Sequence, residues 1–116
     1  MNLFPQNLTT LERVMDLRME NQRVIASNLA NIDTPGYTAQ RLDFEASMQN
    51  ALESADAPPV IEPSAEPSRS ADGNNVDMEV ELGQMSRNRI LYSVSSQLMA
   101  SKLRQYSTML DAEHQA

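Results

Sequence analysis

"ASNLANIDTPGY", residues 26–37, is the stretch whose reading decides how this chain is built. It opens on residues that suit a helix and closes on a stop that no helix reads through. Pro35 has no amide hydrogen and drives Thr34 out of helical geometry, so a helix entering this stretch must end by about Asp33. Pro35 and Gly36 fit the central positions of a type II turn, where glycine supplies the positive φ. Tyr37 then leaves the turn at a fixed angle. Asn28 and Asn31, three residues apart, share a helix face and suit bonds to the released carbonyls or to a neighbour's backbone. An ordinary helix stop explains Pro35 and Gly36 but not the two asparagines and the tyrosine together, in a chain with three tyrosines, two phenylalanines and no tryptophan.

Working outward, the residues before the stop carry a heptad seam. Steps of four and three from Phe4 give Leu8, Leu11, Met15, Arg18, Gln22, Ile25, Leu29 and Ile32, mostly apolar. A second seam starts at Met78 and continues through Leu82, Met85, Arg89, Tyr92, Ser96, Met99, Leu103, Tyr106 and Leu110. As one helix it is roughly 50 Å long. Arg18, Gln22, Arg89 and Ser96 interrupt the seams, as residues that fix register or as side chains that snorkel from a wet interface. Pro5 suits a first helical turn, with Asn7, Thr9 and Thr10 as alternative caps. In "DGNNVDMEVE", Gly73 breaks the preceding chain and Asn74, Asn75 or Asp77 caps the second helix. Asp77, Glu79 and Glu81 lie at the positive end of its dipole. Gly83 inside that helix costs about 1 kcal/mol against alanine, as simple tolerance or as a point of close helix approach.

Four of the six prolines fall in the middle, in "ESADAPPVIEPSAEPSRSADG", which has little apolar surface to offset ordering entropy. This segment is expected to be disordered or loosely extended as a free chain. Residues 38–52 read either as a short helix or as an extended docking segment. The expected organisation is an N-terminal helix over 1–33, a turn and docking segment over 34–52, a Pro-rich acidic linker over 53–75 and a C-terminal helix over 76–112. The fold class is all-α: long terminal helices pair as an antiparallel coiled-coil-like layer, joined by an irregular middle. One seam between two helices is marginal for a stable fold, so both helices need partners.

Composition narrows the function. The net charge is −7, and residues 42–81 hold ten acids against the single base Arg69, which leaves the flanks near neutral. There is no basic stripe for a phosphate backbone, so nucleic acid is not an expected partner. The eight methionines and the scarcity of aromatics suit helical packing, and Met15, Met78, Met85 and Met99 fall on the seams. With no cysteine there is no disulfide or thiolate metal site. The lone His114 is near the end and has no metal-ligand spacing, and three glycines build no phosphate loop. No catalytic set, cofactor site, metal site or small-molecule substrate is expected. The N-terminus has no basic residue before Arg13 and no apolar block of signal-peptide length, so cleavage of a secretory signal is not expected.

"SNLANIDTPGY" resembles the A-N-x-x-T-P-G-Y signature of the bacterial flagellar basal-body rod and hook proteins. It maps onto Ala30, Asn31, Thr34, Pro35, Gly36 and Tyr37, with Asn28 at the asparagine usually found before it. The resemblance also covers the C-terminal helix, because these axial proteins pair their terminal helices in a shared coiled-coil domain. The chain lacks the large β-rich insertions of hook and distal rod members, and "GNNVDMEVE" is similar to the start of the last helix in short proximal rod members. The Pro-rich, acidic linker departs from the family. The resemblance implies a structural subunit of the proximal rod that transmits torque for motility and is exported by the flagellar type III apparatus without a cleaved signal. It would then be built into the rod in the periplasm. Implied partners are other copies of itself, the rod-base adaptor FliE, the C-type proximal rod protein FlgC and the export gate. The alternatives are the C-type rod protein itself, or a soluble coiled-coil adaptor or secretion chaperone, for which the turn motif would be an accident.

Overall fold

A computed structural model describes residues 6–68 and 70–115. The expectations for Phe4 and Pro5 lie outside these residues. The chain forms helix α1 (Gln6–Ala30), strand β1 (Gln40–Leu42), helix α2 (Phe44–Glu53), strand β2 (Ile61–Pro63) and helix α3 (Met78–Gln115). The molecule measures 71 × 26 × 17 Å, a rod set by the 38 residues of α3.

The fold is mostly helical, but the all-α expectation is corrected by a small antiparallel sheet. β1 and β2 pair with Gln40 opposite Pro63, Arg41 opposite Glu62 and Leu42 opposite Ile61. Two further backbone bonds extend the ribbon, Asp43 N to Val60 O at 2.9 Å and Ser64 N to Ala39 O at 2.7 Å. A proline is tolerated here because it ends a strand that has a partner on one side only. The segment read as a free linker is therefore tied to the fold at β2, and Val60 N also donates to Ser47 Oγ of α2 at 2.8 Å. Residues 38–52 turn out to be strand and then helix. Asp43 caps α2, its carboxylate accepting from Ala46 N at 3.0 Å.

Helices α1 and α3 share the most extensive contact in the molecule. Leu8 borders shallow hollows with Met99, Leu103 and Tyr106, Asn21 bonds Asn88, and Asn28 bonds Glu81. Besides α3, α1 packs against β1 and α2, so its buried face is wider than one seam. Leu8 and Ile25 are buried as expected, and so are Leu17 and Val24, one residue off the expected line. Leu11, Met15 and Leu29 are half-buried.

On α3 the expected seam is half right. Met85, Tyr92, Met99 and Tyr106 are half-buried, but Leu82, Leu103 and Leu110 are more than 40 % exposed, at 48, 43 and 43 %. Met78 is exposed too. The buried positions are Glu81, Asn88 and Ser95, seven residues apart. The inward face is thus the expected seam rotated by one residue at every second step, with polar side chains in the slots assigned to Leu82, Arg89 and Ser96. Stepping by hydrophobic periodicity from Met78 selects Leu82, and with it Arg89 and Ser96, in place of the polar residue before each. It cannot see that the polar residues satisfy one another inside.

A candidate assembly joint at the end of the first helix

The stop after α1 is built as the sequence requires. Tyr37 N donates to Thr34 O at 3.2 Å, closing a turn with Pro35 and Gly36 at its centre, and Gly36 has φ +73°. Asn31 closes the last helical turn from within. Its Nδ2 donates to Ser27 O at 2.8 Å, and its Oδ1 accepts from Thr34 Oγ1 at 3.0 Å.

Asn28, fully buried, does something the sequence reading did not anticipate. Its Nδ2 donates to Gln40 O at 2.9 Å while Gln40 N donates to its Oδ1 at 2.9 Å. This is the double exchange that two residues make across an antiparallel ladder, so the asparagine amide stands in for a strand beside β1. The same Oδ1 accepts from the Tyr37 hydroxyl at 3.0 Å, and Nδ2 also donates to Glu81 Oε2 at 3.1 Å. Asn28 satisfies no released carbonyl of α1. The Tyr37 hydroxyl is likewise bonded within its own chain.

Glu81, fully buried at the start of α3, completes this cluster. Arg41 Nη2 lies 2.6 Å from Glu81 Oε1. The contact is an ion pair, and Arg41 Nη1 donates to Gln40 O at 3.1 Å. One buried carboxylate thereby links α3, β1 and α1.

The released carbonyls of α1 are claimed from the other motif. Asn74, buried, shares its Nδ2 hydrogens among Asn31 O, Ile32 O and Thr34 O at 2.8, 3.1 and 2.8 Å. Its Oδ1 accepts from Val76 N at 2.8 Å, so one residue caps the exit of α1 and shapes the approach to α3. Asn75 accepts from Ala39 N at 2.6 Å and donates to Glu66 O at 2.8 Å. Gly36 N donates to Asp72 O at 2.8 Å, and Gly73, at φ +85°, lies against Gly36. Asp77 begins α3, its carboxylate accepting from Glu79 N at 3.0 Å. The Asp72 carboxyl is held below its usual range by the Ser70 hydroxyl and then by the Asn74 amide.

A second polar cluster lies along the same helix pair. Asn88 donates to Arg18 O at 2.8 Å and to Gln22 Oε1 at 3.2 Å, and accepts from Asn21 Nδ2 at 3.0 Å. Arg18 stands over the Phe44 ring, 3.9 Å from its centroid, and burial followed by the nearby Arg87 charge lowers its pKa. Ser95 bonds Leu91 O of its own helix. Among the described residues no three acids or histidines cluster as a metal site, and no helix is long and apolar enough to cross a membrane. The arrangement holds a helix pair at a set angle to a small ribbon.

Residues 11–38, which contain the whole of the joint's first motif, match the family model described as "Flagella basal body rod protein". The chain is 30 % identical over 125 aligned positions to the flagellar basal body rod protein FlgB of Bacillus subtilis, spanning 95 % of this chain and 97 % of that protein. It is 29 % identical to FlgB of Borrelia hermsii, over 86 and 92 % of the two chains. With FlgB of Escherichia coli K12 the figures are 29 %, 87 % and 90 %. These matches run through both terminal helices and the middle segment, and the chain belongs to the FlgB family of flagellar basal-body rod proteins.

Proposed function

We propose that this chain is a structural subunit of the proximal rod of the flagellar basal body, built in through its terminal helices so that the rod carries torque for motility. The observation that carries the reading is the joint, in which the signature turn after α1 and the "GNN" approach to α3 lock the helix pair to the ribbon. A subunit that transmits torque needs such a fixed angle, because a flexible exit would let the helices swivel.

The antiparallel coiled-coil layer of α1 and α3 is the unit that packs side by side with other rod components. It is a poor fold alone. Five apolar residues are buried among the described residues, whereas eleven large apolar side chains are more than 40 % exposed, eight of them on α3. Covering that surface is the work of an assembly. The joint residues Asn28, Asn31, Thr34, Pro35, Gly36 and Tyr37 act by setting the subunit's shape, and the seam residues by joining its helices. Other copies of the chain, FliE and FlgC are the proposed neighbours. Passage through the flagellar type III export gate without a cleaved signal is the proposed route to the periplasmic rod. The family is a structural one and not an enzyme family.

The test is a strain lacking the chromosomal copy and carrying a tagged one. The tagged chain is expected in purified basal bodies, with motility restored. A soluble adaptor or secretion chaperone would instead be a stable folded dimer, absent from purified rods, and that result would overturn the reading.

A further inference from the structure

The outer face of α3, turned away from α1, carries an apolar stripe. Ile90, Val94 and Leu98 are 64, 47 and 47 % exposed and follow one another at four-residue spacing. Arg87, seven residues before Val94, flanks the stripe on the side of α2, where it borders a hollow with Arg18, Phe44 and Glu45 of its own chain. Residues 82–110 hold Arg87, Arg89, Lys102 and Arg104 and no acid. None of these four is in an ion pair among the described residues. Gly83, seven residues before Ile90, also lies on this face, and a Cβ there would meet nothing of its own chain within 4 Å. The glycine therefore weakens the helix without serving any contact inside the subunit.

The opposite charge is found on α2 and β2. Residues 43–66 contain six acids and no base. Glu45, Glu53, Asp56, Glu62 and Glu66 among them are exposed. Beside two of these acids are exposed apolar side chains, Leu52 next to Glu53 at 58 % and Ile61 next to Glu62 at 42 % exposure. The middle of α3 is thus basic beside an exposed apolar stripe, α2 and β2 are acidic and expose Leu52 and Ile61, and within one chain the stripe remains uncovered.

We infer that the α2–β2 face of one copy docks on the outer stripe of α3 of a second copy, with Leu52 and Ile61 against Ile90, Val94 and Leu98, and the acids against Arg87 and Arg104. The two faces differ, so the contact is heterologous and repeats without closing, as a helical array requires. Charge complementarity sets its direction, since a stripe-to-stripe pairing would bring like charges together. The inference rests on the rod reading and adds to it the pair of surfaces in contact.

The chain has no cysteine, so single thiols can be introduced cleanly. Cells would carry two distinguishable copies, Leu52→Cys and Val94→Cys, both at exposed positions, and rods would be purified and oxidised. A disulfide between the two kinds of copy is expected. Disulfides only between Val94→Cys copies would mean that the stripe pairs with itself, and overturn the inference. Incorporation of both copies with no disulfide would also overturn it while leaving the rod reading intact. Absence of the wild-type chain from rods would take down both. A second measurement separates charge from packing. Val94→Glu and Val94→Arg disturb the apolar contact alike, but only glutamate would face like charge. Val94→Glu is expected in rods at about tenfold lower occupancy than Val94→Arg. Equal occupancy, with circular dichroism reporting equal helix, would remove the acidic partner.

Discussion

Asn74 donates its side-chain amide to the Thr34 carbonyl across 2.8 Å, joining residues forty positions apart in sequence. The bond matters because Thr34 immediately precedes the proline that stops α1, so no later amide of the helix can reach this part of the chain. Two other carbonyls, Asn31 O and Ile32 O, are served by the same nitrogen. Removing the side chain in Asn74→Ala is expected to cost about 1–3 kcal/mol, the range for leaving buried polar groups unmatched. Asn74→Asp should be worse than alanine, since a carboxylate would face carbonyl oxygens at the negative end of a helix. Urea unfolding of the three chains checks the order. An aspartate variant more stable than the alanine one would show that the carbonyls are not what Asn74 reads.

Arg41 neutralises Glu81, whose side chain is fully buried. Breaking such a pair from one side leaves an uncompensated charge, which costs about 3–5 kcal/mol. Arg41 is 27 % exposed, so its removal in Arg41→Met should fall at the low end of that range. The double variant Arg41→Met, Glu81→Gln should recover much of the loss, because a neutral amide can still accept from Asn28. A double-mutant cycle by thermal unfolding measures this. Additive losses would mean that the two charges do not interact.

Much of this joint was legible in the chain. Pro35 and Gly36 specify the turn by their own geometry, and Asn31 caps its own helix. The strand-like role of Asn28 was not legible, because it depends on Gln40 arriving alongside, and nothing local to Asn28 announces that. The same limit explains α3. The expected seam took Leu82 and Leu103 because each is apolar, whereas Glu81 and Asn88 are inside because Arg41, Asn21 and Gln22 meet them there. The ribbon was missed for a related reason. "VIEPS" is too short and too proline-flanked to read as a strand until β1 supplies the other half of its hydrogen bonds.

Asp72 introduces a small acid sensitivity. Its carboxyl is held below the usual 3.8 in the folded chain, by the Ser70 hydroxyl first and the Asn74 amide second. A depressed folded value contributes stability above the unfolded value, and that contribution is lost as pH falls through the folded one. The Asn74 backbone amide, 3.0 Å from Asp72 Oδ1, should therefore shift in an NMR titration whose midpoint lies below 3.8. In Asp72→Asn that shift should vanish. A shift centred well above this pH would place the titration on another group.

Two glycine-to-alanine substitutions should move stability in opposite directions. Gly36 has φ +73°, and a Cβ there would touch nothing within 4 Å, so the cost of Gly36→Ala is backbone strain alone, about 1–2 kcal/mol. Gly83 lies in the interior of α3, where a Cβ is equally free of contacts, and Gly83→Ala should stabilise the isolated chain by about 1 kcal/mol through helix propensity. Thermal unfolding of the purified chain checks both signs. Motility then distinguishes what the two residues do in the rod. Gly36→Ala should leave the chain exported but weaken rod assembly, because the strained turn is repeated in every subunit. If that variant assembled normally once outside the cell but were no longer exported, the turn would be a secretion signal and not a joint. Gly83→Ala is the more searching case, since it makes a better helix. A more stable subunit that assembles less well would mean that the missing side chain serves a neighbour. A more stable subunit that assembles as well as the wild type would mean that the glycine is merely tolerated.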